Sequence, residues 1–159
     1  MAVSSIEHGQ VYRFNCLADN KFLDLHMKTT DHGNKLIVWD GNTSNAQRFR
    51  AEIVDDGFRL LSQCRGKGEP LRVITEQADG KGLVIYADHN TDSNHVWHLE
   101  THEGGDQGTY VLIINNGSGK ALANQGYKNQ VRCINPDFND VHQQWRIHVA
   151  EHDQPGHMD

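Results

Sequence analysis

The chain has 159 residues, of which 36% are hydrophobic, and a formal charge of −6 at neutral pH. This length predicts a single domain, and the negative charge argues against nucleic acid as a partner, because proteins that follow phosphates present a basic surface. No apolar run is long enough to span a bilayer, and the segment after Met1 lacks the basic, apolar and small-residue order of a secretory signal.

The cysteine content bears on the cellular compartment. Cys16, Cys64 and Cys133 cannot all pair within one chain. Without an export signal, we expect free thiols that pack as small hydrophobic side chains. The sequence therefore predicts a cytoplasmic protein with no membrane insertion, and secretion by a non-classical route stays open.

The first third of the chain predicts four short strands separated by turns. Asp, Asn and Gly residues of the kind that form turns lie between bursts of apolar residues. The bursts are Val11 to Phe14, Phe22 to Leu25, Leu36 to Trp39 and Phe49 to Val54.

The rest of the chain repeats this pattern twice. The second group of predicted strands comprises Phe58 to Leu61, Leu71 to Ile74, Leu83 to Tyr86 and Val96 to Leu99. The third comprises Tyr110 to Ile114, a short strand at Leu122, Val131 to Ile134 and Trp145 to Val149. No apolar stripe with helical spacing persists over three turns, so little helix is expected. We expect the tail, residues 151–159, to be loosely attached.

A tripeptide ending in an aromatic residue recurs at an interval of 48 residues. Its three occurrences are Gln47-Arg48-Phe49, His95-Val96-Trp97 and Gln143-Gln144-Trp145. This period defines three copies, at approximately residues 9–57, 58–108 and 109–153. Because an isolated hairpin is marginally stable, closing the copies about a pseudo-threefold axis would bury the aromatics and remove sheet edges. We predict an all-β, single-domain β-trefoil.

The repeated tripeptide resembles that of the ricin B-chain-type lectins, whose copies end in Gln-x-Trp. The resemblance covers about residues 9–149. It implies a β-trefoil that binds galactose-type or N-acetylgalactosamine-type glycans or glycoproteins. Because the disulfide cysteines of that family are absent here, the chain is more similar to cytosolic fungal trefoil lectins.

In the first copy, the resemblance implies a sugar site made of Asp24, Trp39 and Gln47. The three residue types suit a sugar, since a carboxylate accepts adjacent hydroxyls, an indole covers the apolar face of the ring, and an amide donates to remaining oxygens. The family usually has Asn before the repeated Gln, but Ala46 stands there. Asn45 or Asn42 would then have to supply the amide.

The other two copies depart from this pattern. The second has Arg72 at the position assigned to the aspartate, with Tyr86, Asn94 and His95 at the other positions, so it predicts at most a doubtful second site. The third has Ala123 and Cys133 at the carboxylate and aromatic positions. We expect one site of the usual kind, in the first copy.

Catalysis and metal binding are not expected. The eleven histidines do not fall at metal-ligand spacing on one predicted element, and no cysteine lies in a nucleophile motif. We therefore predict no cofactor, no metal and no enzymatic activity.

Two other functions stay open for the same fold. One is a protease inhibitor acting through exposed loops such as residues 64–70, where basic residues could enter a specificity pocket. The other is a protein-interaction module. A single shallow sugar site binds weakly, so a lectin would gain avidity from a homodimer or a partner module.

Overall fold

The computed structural model describes residues 2–3, 5–64, 72–77, 79–88, 93–104 and 108–150. Thirteen strands lie in these residues: β1 Ala2–Val3, β2 Val11–Cys16, β3 Phe22–Leu25, β4 Asn34–Trp39, β5 Phe49–Val54, β6 Gly57–Ser62, β7 Arg72–Glu76, β8 Val84–Asp88, β9 Trp97–Gly104, β10 Gly108–Asn115, β11 Ala121–Ala123, β12 Arg132–Ile134 and β13 Trp145–Val149. The same residues contain four 3₁₀ turns between strands, at His26–Lys28, Asn45–Gln47, Ser93–His95 and Val141–Gln143.

Six of the strands form a closed barrel. In each copy the first strand pairs with the fourth, which gives the pairs β2–β5, β6–β9 and β10–β13. Hairpins β5–β6 and β9–β10 join successive copies, and β13 pairs with β2 to close the ring. Closure leaves these six strands without an open edge.

The second and third strands of each copy pair as three further hairpins, β3–β4, β7–β8 and β11–β12. The strand order therefore repeats three times, and the predicted β-trefoil is confirmed. Loop residues 65–70, the polar residues 89–92 and the tail 151–159 lie outside the described residues. No helix among the residues described is long and apolar enough to cross a membrane.

The aromatics of the repeated tripeptide are central to the core. Phe49, Trp97 and Trp145 are fully buried. The indole N–H groups of Trp97 and Trp145 donate 3.0 Å hydrogen bonds to the carbonyls of Ile74 and Leu122. Both tryptophans thus tie the fourth strand of a copy to its second strand, with their polar atoms satisfied inside the core.

Two other features agree with a tightly packed barrel. A Cβ atom at Gly57 would lie 2.1 Å from the carbonyl oxygen of Trp97, so only glycine allows β6 to approach β9 this closely. Cys16, Cys64 and Cys133 are buried free thiols, as predicted.

Candidate functional site

A hollow of about 570 Å³ opens in the first copy, between the hairpin β3–β4 and two 3₁₀ turns. Its lining combines one carboxylate, one indole and several apolar side chains. The lining residues are Asp24, His26, Met27, Lys28, Ile37, Trp39, Asn42, Ser44 and Ala46. The structure therefore brings together Asp24 and Trp39, the two residues on which the predicted sugar site depends.

Asp24 lies on β3 and is only 6% exposed. Its Oδ2 atom accepts a 2.9 Å hydrogen bond from the Nε2 of Gln47. Burial raises the pKa of the Asp24 carboxyl to about 6, although the Gln47 hydrogen bond and the charge of Lys28 both oppose this rise. Asp24 is therefore mostly ionised at neutral pH and can accept hydrogen bonds from hydroxyl groups in the hollow.

Gln47 lies behind Asp24 and is fully buried. Its Nε2 also donates to the carbonyl of Asp40 at 2.8 Å, and its Oε1 accepts from the Asn42 backbone N–H at 3.0 Å and from Arg13 at 3.2 Å. These contacts occupy both donors and both acceptor positions of the amide. The predicted role of Gln47 as a sugar ligand has to be corrected, because it holds the loop and Asp24 in place and has no group left for a ligand.

Gln143 makes a similar set of contacts in the third copy. Its Oε1 accepts from the Asp137 N–H at 2.9 Å, and its Nε2 donates to the Asn135 carbonyl at 3.0 Å. The same Nε2 also donates to the Oδ2 of Asp140, three residues away in the sequence, at 3.1 Å. The repeated Gln is thus a structural residue of the loop, and only in the first copy does it also hold a strand carboxylate.

Trp39 ends β4 and is half-buried, so its indole is not enclosed in the barrel. Its ring also packs against Tyr127 of the third copy, with 5.2 Å between ring centroids and 35° between ring planes. Sequence reasoning missed Tyr127, since no period links residue 127 to residue 39.

The 3₁₀ turn His26–Lys28 forms another wall of the hollow. Met27 and Lys28 both have left-handed backbone conformations, with φ of 53° and 57°, and the Met27 side chain is 78% exposed. Such conformations are costly for residues other than Gly and Asn, and they occur preferentially at functional sites. The sequence carries no Gly or Asn here that could have indicated this turn.

The two asparagines proposed as amide donors lie in different places. Asn42 is exposed and lines the hollow, where its Oδ1 accepts from the Ser44 N–H at 2.9 Å. Asn45 is fully buried and is not part of the lining. Its predicted contact with a sugar has to be corrected, and Asn42 is the asparagine that a ligand can reach.

Strand register identifies the true counterparts of Asp24 and Trp39 in the other copies. The pairs Asn15–Phe22, Leu61–Val73 and Ile114–Ala121 occupy the same place in the three copies. Counting from them along the hairpins, Thr75 and Ala123 correspond to Asp24, while Ala87 and Ile134 correspond to Trp39. Neither copy has a carboxylate or an aromatic ring at these positions.

The doubtful second site therefore has to be corrected. Tyr86, one position from Ala87, is fully buried, and its hydroxyl donates to the Cys64 carbonyl at 2.9 Å. His95 is also buried, which leaves Asn94 as the one partly exposed member of the proposed set. Thr75, not Arg72, is the counterpart of Asp24 in the second copy.

A larger hollow of about 760 Å³ lies between the turn at residues 54–56 and the turn at residues 115–119. Its lining contains no Trp, Tyr or Phe. Three of its polar side chains are paired, His98 with Asn116 at 2.5 Å and Arg59 with Glu52, outside the lining, at 2.6 Å. Within the described ranges, no group of three or more His, Cys, Asp or Glu residues is arranged to hold a metal ion.

No protein-family model matches the sequence, and no curated protein matches it either. Solved structures do resemble it. A designed threefold-symmetric protein, ThreeFoil, superposes with a TM-score of 0.71 at 22% identity, over 86% of this chain and 96% of that one. The ricin B-like lectin of Macrolepiota procera, in complex with lactose, gives a TM-score of 0.68 at 14% identity, over 90% of this chain and 97% of the lectin.

An exo-β-1,3-galactanase from Clostridium thermocellum superposes with a TM-score of 0.72 at 18% identity. The match covers 92% of this chain but only 31% of the galactanase. At these identities the similarities show a shared fold. The chain thus has a β-trefoil fold, which it shares with proteins of widely different sequence.

Proposed function

We propose that this protein binds carbohydrate without catalysis and takes a galactose or N-acetylgalactosamine residue in the hollow of the first copy. The observation that carries the proposal is that the Asp24 carboxylate and the Trp39 indole line the same hollow. Two of the proteins that share the fold are a lectin in complex with lactose and a galactanase, and both names support a galactoside.

The proposed binding mode assigns one task to each of three groups that line the hollow. Asp24, ionised at neutral pH, accepts hydrogen bonds from two adjacent sugar hydroxyls. Trp39 covers the apolar C–H surface of the ring, and the Asn42 side chain contacts a remaining oxygen. Gln47 contributes indirectly, by holding Asp24 in place.

A single open site of this size should bind a monosaccharide weakly, with a Kd on the order of 0.1 to 1 mM, or about 4 to 5.5 kcal/mol. Glycans or glycoproteins that present several copies of the sugar are therefore the proposed partners. A homodimer would supply the second site that useful avidity requires.

The test is a glycan array followed by calorimetric titration with galactose, N-acetylgalactosamine and glucose. We expect galactosides to bind, Asp24→Asn and Trp39→Ala to abolish binding, and Trp39→Phe to retain part of it. Asp79→Asn is the matched control, because Asp79 is an exposed turn residue of the second copy outside the hollow. Equal binding by Asp24→Asn and the parent would contradict the site.

A parent protein that bound no glycan on the array would contradict the proposed function itself. Protease inhibition at micromolar concentrations would then favour the alternative that involves residues 64–70. Of that loop only Cys64, a buried residue, belongs to the described chain.

A further inference from the structure

The sugar hollow is bordered by a second surface that the third copy contributes. This surface, here called the ledge, consists of Tyr127 and Lys128 from the connection between β11 and β12. It joins the hollow at Trp39, whose ring packs against that of Tyr127. Tyr127 is 40% exposed, and the Lys21 ammonium lies over its ring, 5.1 Å from the ring centroid.

The Lys128 ammonium lies over both rings. Its Nζ is 5.3 Å from the ring centroid of Trp39 and 5.2 Å from that of Tyr127, while the two centroids are 5.2 Å apart. The three points form a nearly equilateral triangle. The ammonium is therefore held where the two rings meet, by cation–π attraction that leaves its N–H groups available as donors.

The backbone holds the ledge in place. The Lys128 N–H donates to the Val38 carbonyl at 2.8 Å, and Gln130 forms an isolated bridge with Ile37 of β4. Lys128 itself has a left-handed conformation, with φ of 72°. A lysine maintained in this conformation by tertiary contacts is a local strain of the kind found at ligand sites.

The carboxylate that contacts the ledge, Asp40, is neutralised by a lysine. Asp40 forms an ion pair with Lys21 at 2.6 Å and accepts a 3.0 Å hydrogen bond from the Tyr127 hydroxyl. Lys21, Asp40 and Lys128 together leave one net positive charge beside the hollow, on a protein whose formal charge is −6. Charges beyond about 8 Å are largely screened at physiological salt, so the local charge governs a bound group.

We propose that the site extends past Trp39 onto this ledge, and that the ledge takes an acidic group, a carboxylate or a sulfate ester, attached to the galactoside or to the next sugar residue. Tyr127 supplies an apolar surface for the extension, and Lys128 donates charge-assisted hydrogen bonds to the anionic oxygens. The inference rests on the proposed function and adds a specificity to the same site.

The experiment compares lactose with two charged derivatives, 3′-sulfated lactose and 3′-sialyllactose, by calorimetric titration. We expect the parent to bind at least one derivative about threefold to tenfold more tightly than lactose at about 50 mM salt. This preference should shrink at about 500 mM salt, because the ion pair is exposed and screened. The two derivatives distinguish a sulfate from a carboxylate.

Lys128→Gln should abolish the preference while binding of uncharged lactose stays the same, which also shows that the variant is folded. Lys120→Gln is the matched control, since Lys120 takes the place of Lys21 in the third copy and is outside the hollow. Tyr127→Ala should weaken binding of both charged ligands, whereas Tyr127→Phe should retain most of it.

The outcomes separate the two proposals. If the parent binds lactose and its derivatives equally, or if Lys128→Gln retains the preference, the inference is wrong and the proposed function stands. If the parent binds none of the three ligands and no N-acetylgalactosamine, both are wrong.

Discussion

The side-chain amide of Gln47 donates a 2.9 Å hydrogen bond to the carboxylate of Asp24, and this contact joins the repeated tripeptide of the first copy to the candidate site. Gln143 holds its own loop in a similar way, with Asp140 in place of a strand carboxylate. A residue that serves the fold in two copies thus also positions the carboxylate of the candidate site in one of them.

This pair of glutamines gives a controlled test of positioning. Gln47→Ala and Gln143→Ala should each lower the free energy of unfolding by about 2 to 4 kcal/mol, because each leaves buried loop groups without partners. Only Gln47→Ala should weaken sugar binding, by about tenfold or more, since it also releases Asp24. Urea unfolding and calorimetric titration measure the two effects. Equal loss of affinity in both variants would mean that loop destabilisation, and not the contact with Asp24, controls binding.

Asp24→Asn should stabilise the protein at neutral pH while it removes sugar binding. The pKa of the Asp24 carboxyl rises from 3.8 to about 6 on folding, so the folded state holds the proton more tightly than the unfolded state. The charged carboxylate therefore destabilises the fold above about pH 6, and this penalty disappears as the pH falls below about 4. We expect a gain of about 1 to 2 kcal/mol at pH 7.5, less than the full shift implies because the hollow admits water.

Urea unfolding of the parent and Asp24→Asn at pH 7.5 and at pH 4 measures this gain. Most of the difference between them should be lost at the lower pH, where the Asp24 carboxyl of the folded protein is neutral. The amide oxygen of the new Asn can still accept from Gln47, so that hydrogen bond is retained. A variant less stable than the parent at pH 7.5 would refute the assigned penalty.

Sugar affinity should fall as the pH is lowered through about 6. Only the ionised form of Asp24 accepts two hydroxyl hydrogen bonds, so below its pKa the affinity should drop by up to about tenfold per pH unit. Calorimetric titrations between pH 7.5 and 4.5 measure the profile. His26 lines the same hollow, so His26→Gln is the control and should keep the profile of the parent. Constant affinity down to pH 4.5 would exclude the carboxylate as the main ligand.

The sequence predicts the fold well because its strongest signals are local and repeated. In each copy, three short apolar runs precede a fourth run that contains an aromatic buried by the barrel. The strands and the closure of the barrel follow from this pattern. The resemblance to the ricin B-chain-type lectins pointed to Asp24 and Trp39 together, and the structure places both on one hairpin, where Trp39 lies two residues from Ile37, the strand partner of Asp24.

Two kinds of feature could not be predicted from the repeats: contacts between copies, and differences between copies in the length of a connection. Tyr127 meets Trp39 across a sequence separation without any periodic signal. In the second copy, a longer connection before β7 puts Thr75 farther along the chain than the 48-residue interval indicates. The alignment of the apolar runs Leu36 to Trp39 and Leu83 to Tyr86 predicts Tyr86 at the aromatic position, but side chains on a strand alternate between its two sides, so a one-residue difference from Ala87 puts Tyr86 in the core.

The strained wall of the hollow provides a last test. Met27→Gly should raise the free energy of unfolding by about 0.5 to 1 kcal/mol. A left-handed conformation costs about 1 to 2 kcal/mol for residues other than glycine, and Met27→Gly removes this cost. The extra conformational freedom of glycine in the unfolded chain offsets part of the gain. The same change removes an apolar side chain from the lining, so the sugar affinity should fall by about twofold to fivefold. Met27→Ala is the matched control, since it removes the side chain but keeps the strain. It should lose the same affinity without the gain in stability, and equal stability of the Gly and Ala variants in urea would show that the turn stores no strain.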